Sequence, residues 1–257
     1  MTSSTAPRSV IVTGAAGGMG GDFVRAFAAT GADVIASDVP QRAELGERFA
    51  AEVTADGGGQ VTFVPADITS DDDLAALVEA ASARSGGVDV LVNNAGIFMD
   101  LGAKRPMTEI DNESWDRVLT VNARGTWQAV KAVVPAMRAR GGGRIISMSS
   151  GTVHAGTAGF VHYVASKAAV EALTKVAARE LGPDGITVNC IAPGLIETEA
   201  AKQMNSPEYL QQAAASRFIA RGMAPADLVS TMLWLAAPES GFVTGQTIVV
   251  DGGWLQA

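Results

Sequence analysis

Short apolar runs alternate with longer amphipathic segments along the whole chain. The runs are SVIVTG, ADVIASD, VTFVPAD, VDVLVNN, GRIISMSS, ITVNCIAPG and TIVVDGG. They are nearly continuous in Val, Ile and Leu, which is typical of strands buried on both faces. The segments between them have helical patterns, such as SDDDLAALVEAASARSGG with Ser70 as its capping residue. This alternation predicts an α/β fold: a doubly wound sheet of seven mainly parallel strands with helices on both faces.

The same pattern predicts a single domain over residues 1–257. A chain of 257 residues that is 47% hydrophobic can build one full core, and no long linker or internal repeat interrupts the alternation. The pattern loosens after the turn at Pro193 and Gly194. We therefore expect a substrate lid at about residues 196–225.

Charge and composition restrict the expected partners. The formal net charge is -8, so nucleic acid and membrane surfaces are not expected partners. The single cysteine, Cys190, excludes an internal disulfide, and residues 1–9 contain no apolar targeting segment. We therefore expect a cytoplasmic location. The only histidines are His154 and His162, so no metal site is expected.

A glycine-rich turn, TGAAGGMG at Thr13–Gly20, follows the first predicted strand and precedes a helical segment. Glycines at such a turn let the backbone approach a pyrophosphate, and the free N–H groups at the helix start face its charge. The turn is not a P-loop, because no Lys-Ser/Thr pair follows it. A purely structural turn is the alternative interpretation.

Acids end the second and third predicted strands. Asp38 can accept hydrogen bonds from the adenosine ribose hydroxyls, and its carboxylate would repel a 2′-phosphate. NAD is therefore favoured over NADP, although Arg42 is near enough in sequence to keep NADP open. Asp67 is a weaker candidate for the same role, because it could instead cap a helix.

Polar residues also mark later strand ends and helical segments. NNAG at Asn93–Gly96 ends the fourth strand, Asn122 interrupts a helical pattern that asparagine disfavours, and Ser150 follows the fifth strand. YVASK places Tyr163 one helical turn before Lys167, so both side chains lie on one face. The ammonium would favour the phenolate and lower the pKa of Tyr163. An exposed helical pair is the alternative interpretation.

Taken in order, these motifs resemble those of the short-chain dehydrogenase/reductase family in its compact single-domain form, over essentially the whole chain. The matching motifs are T-G-x-x-x-G-x-G, the acid after the second strand, N-N-A-G, an asparagine, a serine, Y-x-x-x-K and P-G-x-x-x-T. The resemblance implies a Rossmann-like NAD(P)-binding domain and a homotetramer. It implies the catalytic residues Asn122, Ser150, Tyr163 and Lys167. The expected NAD contacts are Gly14, Gly17, Gly18, Met19, Gly20, Asp38, Asp67, Ile68, Asn94, Ala95, Gly96, Tyr163, Lys167, Pro193, Gly194, Ile196 and Thr198.

The resemblance further implies an NAD-dependent oxidoreductase that interconverts a secondary alcohol and a ketone by hydride transfer. Tyr163 would be the general acid/base, Ser150 would hold the same substrate oxygen, and Lys167 would also bind the nicotinamide ribose. Asn122 would hold a water in a proton relay. Candidate pocket residues, which indicate a mainly apolar substrate, are Phe98, Val153, His154, Phe160, Leu195 and Met204.

Two other functions stay open at this point. A reductase of carrier-bound 3-oxoacyl thioesters would normally need a 2′-phosphate site and a basic docking surface. Asp38 and the net charge of -8 argue against both. A dinucleotide-sensing scaffold on the same fold is the non-enzyme alternative, and loss of the tyrosine or the lysine would indicate it.

Overall fold

The computed structural model describes residues 8–98, 101–198, 201–202 and 205–255. Its strands are β1 (Ser9–Thr13), β2 (Asp33–Asp38), β3 (Val61–Pro65), β4 (Val90–Asn93), β5 (Gly143–Met148), β6 (Ile186–Pro193) and β7 (Thr247–Val250). Its helices are α1 (Gly18–Ala29), α2 (Ala43–Ala55), α3 (Asp71–Ser85), α4 (Asn112–Leu119), α5 (Thr126–Arg140), α6 (Gly151–Ala155), α7 (Val161–Leu181), α8 (Pro207–Ala215) and α9 (Ala226–Ala236). A π-helical turn, Thr120–Gly125, joins α4 to α5.

The seven strands form one sheet in the order β3-β2-β1-β4-β5-β6-β7, and each neighbouring pair is parallel. This confirms the predicted fold class, and every apolar run read from the sequence contributes one strand. The direction in which strands are added to the sheet reverses at β1. Its Val10 pairs with Val34 of β2 on one side and with Val90 of β4 on the other. Such a reversal opens a crevice at the carboxyl ends of the strands, where open α/β sheets bind their ligands.

Successive residues of β1 pack on opposite faces of the sheet. Val10 and Val12 belong to the same apolar cluster as Phe23 of α1, whereas Ile11 packs in the cluster that contains Leu77 of α3. The first cluster is completed by α2 and α9, and the second by α5 and α7. Burial on both faces explains why the strand sequences show apolar runs and no alternation.

Helix α3 shows how local sequence sets an element's ends. The Ser70 hydroxyl accepts a hydrogen bond from Asp73 N at 3.2 Å, and Gly86 ends the helix in the left-handed conformation at φ 74°. The predicted capping role of Ser70 is confirmed. Within the described residues, no helix has both the length and the apolar character needed to cross a membrane.

Candidate active site

A cavity of about 1080 Å³ opens at the carboxyl ends of β4, β5 and β6. Many residues predicted to bind cofactor or substrate line it: Met19, Asn94, Gly96, Phe98, Ser150, Phe160, Tyr163, Lys167, Pro193, Gly194, Leu195, Ile196 and Thr198. Residues far apart in sequence therefore meet in one place. This is the crevice that the strand reversal predicts.

Tyr163 and Lys167 lie one turn apart on α7, and both are largely buried. The Lys167 ammonium donates a hydrogen bond of 2.8 Å to the carbonyl oxygen of Met148, the last residue of β5. Its Nζ atom lies 5.8 Å from the centroid of the Tyr163 ring. The pair is thus held inside the cavity wall, which argues against an exposed helical pair.

Burial controls the ionisation of both side chains. It raises the pKa of Tyr163 to about 12, an effect that a hydrogen bond with Ser150 partly opposes. Burial also lowers the pKa of Lys167 to about 8. For the chain by itself, burial therefore shifts the Tyr163 pKa in the direction opposite to the one that the one-turn spacing predicts, because desolvation disfavours the phenolate.

Ser150 follows β5 and caps the short helix α6. Its Oγ atom accepts hydrogen bonds from the Thr152 amide at 3.3 Å and from the Thr152 hydroxyl at 3.0 Å. With both acceptor positions used, the Ser150 hydroxyl proton is the group that can be donated towards Tyr163 in the cavity. The sequence analysis missed Thr152, although a hydroxyl residue two positions after a capping serine is a recognisable local signal.

Asn122 lies fully buried in the π-helical turn between α4 and α5. Its Oδ1 accepts a 2.7 Å hydrogen bond from Ile97 N, and its Nδ2 donates to Ile97 O and to the Ser166 hydroxyl at 3.1 Å each. These bonds tie the segment after β4 to α7. The asparagine that disfavours a regular helix thus belongs to a helix irregularity, a feature often found at functional sites.

The glycine turn between β1 and α1 suits an anionic group. Gly17 (φ 128°) and Gly18 (φ 57°) adopt backbone conformations that other residues rarely reach, and a Cβ on Gly18 would meet no atom within 4 Å. The first turn of α1 contains no acid, and no side chain caps it. A side chain at Gly20 would collide with Gly14 O. These residues fit a dinucleotide pyrophosphate at the helix N-terminus.

Asp38 lies beside this turn at the end of β2. Its Oδ2 accepts a 3.0 Å hydrogen bond from Ala16 N. Arg42 is close by, with Nη1 3.9 Å from Asp38 Oδ2 and Nη2 donating to Ala16 O at 2.7 Å. Asp38 therefore lies at the predicted position, at the end of β2 beside the glycine turn. Arg42, which the sequence placed only near it along the chain, lies next to its carboxylate.

The other predicted cofactor residues border the crevice. The Asn94 amide donates to Thr13 O at 3.0 Å and to Gly14 O at 2.9 Å, and so joins the ends of β1 and β4. A Cβ on Gly96 would lie only 3.4 Å from Lys167 Nζ. Asp67 accepts hydrogen bonds from Thr69 N and Oγ1 at 2.8 and 2.7 Å, so its carboxylate serves the turn before α3. The remaining two predicted residues are Ala95, whose amide donates to the Thr13 hydroxyl, and the buried Ile68.

The predicted substrate-pocket residues divide into three groups. Phe98, Phe160 and Leu195 line the cavity, and the rings of Phe98 and Tyr163 have centroids 5.3 Å apart. Val153 and His154 do not line it. The His154 imidazole lies with Nε2 3.1 Å from Glu171 Oε1, because this largely buried carboxylate on α7 offers it a partner.

The sixth predicted pocket residue, Met204, lies outside the described residues. The structure adds cavity residues that the sequence analysis did not name. They include Lys104, Thr152, Tyr209, Gln212, Ser216, Arg217 and Trp254. Tyr209, Gln212 and Ser216 are spaced by three and four residues, as on one side of a helix. This spacing was the sequence signal that could have placed them in the cavity wall.

Comparison with known proteins agrees with this geometry. A family model described as Enoyl-(Acyl carrier protein) reductase matches residues 14–255. The chain is 35% identical over 246 residues to a cyclopentanol dehydrogenase of Comamonas testosteroni, covering 95% of this chain and 96% of the relative. It is 40% identical over 243 residues to a 3-alpha-(or 20-beta)-hydroxysteroid dehydrogenase of Mycobacterium tuberculosis, covering 95% and 87%. A 3-oxoacyl-(acyl-carrier-protein) reductase of Thermotoga maritima is 37% identical over 246 residues, covering 95% and 96%.

Proposed function

The chain belongs to the short-chain dehydrogenase/reductase family and is an oxidoreductase of that family, and we propose that it uses NAD to interconvert a secondary alcohol and a ketone. The observation that carries the proposal is one cavity wall with three reacting groups. They are the Tyr163 phenol, the Ser150 hydroxyl and the Lys167 ammonium. The uncapped N-terminus of α1 lies at the same edge of the sheet.

The chain offers a complete set of contacts for the dinucleotide. Residues Gly17–Gly20 would face the pyrophosphate, Asp38 would accept hydrogen bonds from the adenosine ribose, and Lys167 would hold the nicotinamide ribose. Ile196 and Thr198, which line the cavity, would contact the nicotinamide. When bound, this ring supplies the acceptor or donor of the hydride.

The side chains then divide the acid/base work. In alcohol oxidation Tyr163, as phenolate, takes the hydroxyl proton while the carbinol carbon loses its hydride; in ketone reduction the phenol returns the proton. Ser150 donates a hydrogen bond to the same oxygen and stabilises its developing charge. Asn122 keeps Ile97 and Ser166 in place, so its role here is to position the wall that holds Lys167. The water relay remains a prediction.

A reductase of 3-oxoacyl thioesters is the second candidate. One observation favours it: Arg42 lies beside Asp38 and could meet a 2′-phosphate if the carboxylate moved. Asp38 itself argues for NAD, because its negative charge faces the position of that phosphate. Cofactor preference therefore separates the two candidates.

We also propose a homotetramer in the cytoplasm. Trp127 on α5 and Val176 on α7 are 47% and 56% exposed, and a two-fold contact between these helices would cover them. Cys190 is a buried free thiol, which suits a reducing compartment.

A spectrophotometric screen of alcohols, including cyclopentanol and hydroxysteroids, tests the proposal. We expect NADH to form at least tenfold more efficiently than NADPH, measured as kcat/KM, which is about 1.4 kcal/mol. Tyr163→Phe should reduce turnover roughly a hundredfold while NAD still binds in calorimetry. If Tyr163→Phe kept near-normal turnover, another group would have to carry the proton. Binding of NAD without turnover of any substrate would favour the sensing scaffold.

A further inference from the structure

The substrate cavity has two chemically different walls. The wall beside Tyr163 is apolar and aromatic, with Phe98, Phe160 and Leu195. A second part of the lining is formed by α8 and the residues that follow it. There Tyr209, Gln212 and Ser216 recur at intervals of three and four residues along one helical side, which is polar.

Two cations belong to this polar wall. Lys104 lies at the boundary of the two walls, with Nζ 4.9 Å from the Tyr209 ring centroid and 5.9 Å from that of Phe160. Its ammonium has no carboxylate partner among the described residues. Arg217 is 6% exposed, and within the described part of the chain its hydrogen bonds go to two backbone carbonyls, Leu195 O at 2.6 Å and Arg221 O at 2.7 Å.

The charge of the lining contrasts with the charge of the chain. The chain has a formal net charge of -8, yet every charged residue among the described residues of the cavity lining is a cation: Lys104, Lys167 and Arg217. Lys167 is bound to Met148 O beside the phenol. The other two have no role in the acid/base chemistry. The Asp227 carboxylate lies within electrostatic range of Arg217, but its own hydrogen bonds come from Arg221 and from the Ala224 amide. A cationic lining of this kind favours an anion in the cavity.

We infer that the substrate carries a carboxylate, separated from the reacting carbinol carbon by an apolar body, and that Lys104 and Arg217 bind this carboxylate. The inference rests on the proposed function, because Tyr163 fixes the reacting end. The apolar wall would hold the body of the substrate. The polar wall would hold its charged end, where a carboxylate can accept from both cations.

The test compares acids with neutral amides of the same shape. The probes are hydroxycyclohexane carboxylates with side chains of increasing length and the matching carboxamides. Each is measured by turnover with NAD, and by calorimetric binding to the enzyme saturated with NADH, where an alcohol cannot react. At the best length we expect the acid to exceed the amide about tenfold in kcat/KM and in affinity, which is about 1.4 kcal/mol.

Charge variants identify the residues responsible. Lys104→Met and Arg217→Met should each remove most of the preference for the acid while changing amide binding little, and Lys104→Glu should reverse the preference. Lys131→Met is the control for losing an ammonium outside the cavity lining: Lys131 also lies over an aromatic ring, 5.3 Å from the Trp127 centroid, and it pairs with Asp71 at 3.4 Å. It should keep the preference. The ratio of acid to amide is the readout, since a general folding defect would lower both alike.

Four results would overturn or separate the claims. Acids that bind no better than amides at every length would overturn the inference while leaving the oxidoreductase proposal intact. A preference that survives in both Lys104→Met and Arg217→Met would also overturn it. So would a large loss of NADH affinity in Arg217→Met, which would assign that cation to the cofactor. Preferential binding of acids without turnover would support the anion site and refute the proposed reaction.

Discussion

The ionisation of Tyr163 offers a direct test of how the cavity controls the chemistry. Burial raises its pKa from the ordinary value of 10.0 to about 12. The difference corresponds to about 3 kcal/mol of preference for the neutral phenol, at about 1.4 kcal/mol for each pH unit. Oxidation needs the phenolate, so the folded chain holds its base in the wrong form at neutral pH until something stabilises the anion.

The chain has only two tyrosines, Tyr163 and Tyr209, which makes the measurement simple. Tyrosinate absorbance is titrated in the wild type and in Tyr163→Phe, and the difference between the two curves belongs to Tyr163. Circular dichroism at each pH confirms that both proteins remain folded. We expect a midpoint near 12 for the protein alone.

Saturation with NAD should lower this midpoint, because the positive nicotinamide ring would stabilise the phenolate. NADH, whose ring is neutral, is the control and should lower it less. A midpoint at or below 10 in the folded protein alone would refute the argument from burial. Equal midpoints with NAD and NADH would refute the contribution of the ring charge.

Three further predictions concern the cofactor, stability and the lid. Asp38→Asn should reduce the preference for NAD over NADP about tenfold in kcat/KM, or about 1.4 kcal/mol, because Arg42 already lies beside the carboxylate. Adding Arg42→Ala to this variant should abolish the improved use of NADP. The pKa of Lys167 is about 8 when folded and 10.5 by reference, so between these values the unfolded chain binds more protons. The unfolding free energy of the wild type relative to Lys167→Met should therefore rise from pH 8 to 10.5 in urea titrations, and a flat difference would contradict the burial of the ammonium. Residues 205–221 should exchange amide hydrogens more slowly with NAD than without it, whereas identical exchange would mean ordinary packed structure.

The sheet could be predicted because its signal is local and strong. A strand buried on both faces must be apolar at nearly every position, so β1, β4 and β6 each read as strands without any knowledge of their neighbours. The residue at which a strand ends is harder to predict. Polar residues such as Asn94 and Ser150 directly follow β4 and β5, and the sequence does not separate them from the strand. The strand order needed the family resemblance or the structure, because periodicity contains no information about which strands pair.

Site residues could be predicted from the sequence where they belong to a motif. Residues that only the tertiary packing brings to the cavity could not. Tyr163, Lys167 and Ser150 were identified by their order and spacing. His154 was misplaced because its partner Glu171 comes from another helix, which sequence spacing does not reveal. No sequence motif includes Lys104 or Arg217, and only the fold places them beside one cavity.

The end of β5 explains how this fold fixes the geometry of α7. Three consecutive residues there meet one side of the helix: Met148 O accepts from Lys167 Nζ at 2.8 Å, the Ser149 hydroxyl donates to Glu171 Oε1 at 2.7 Å, and Ser150 hydrogen-bonds with Tyr163. The helical partners are spaced by four residues, so they lie above one another along a single stripe. A shift of the helix by one turn would break all of these bonds together. The strand end therefore sets the register that places the phenol, the ammonium and the serine hydroxyl in one wall. Glu171 contributes to that register although it does not line the cavity.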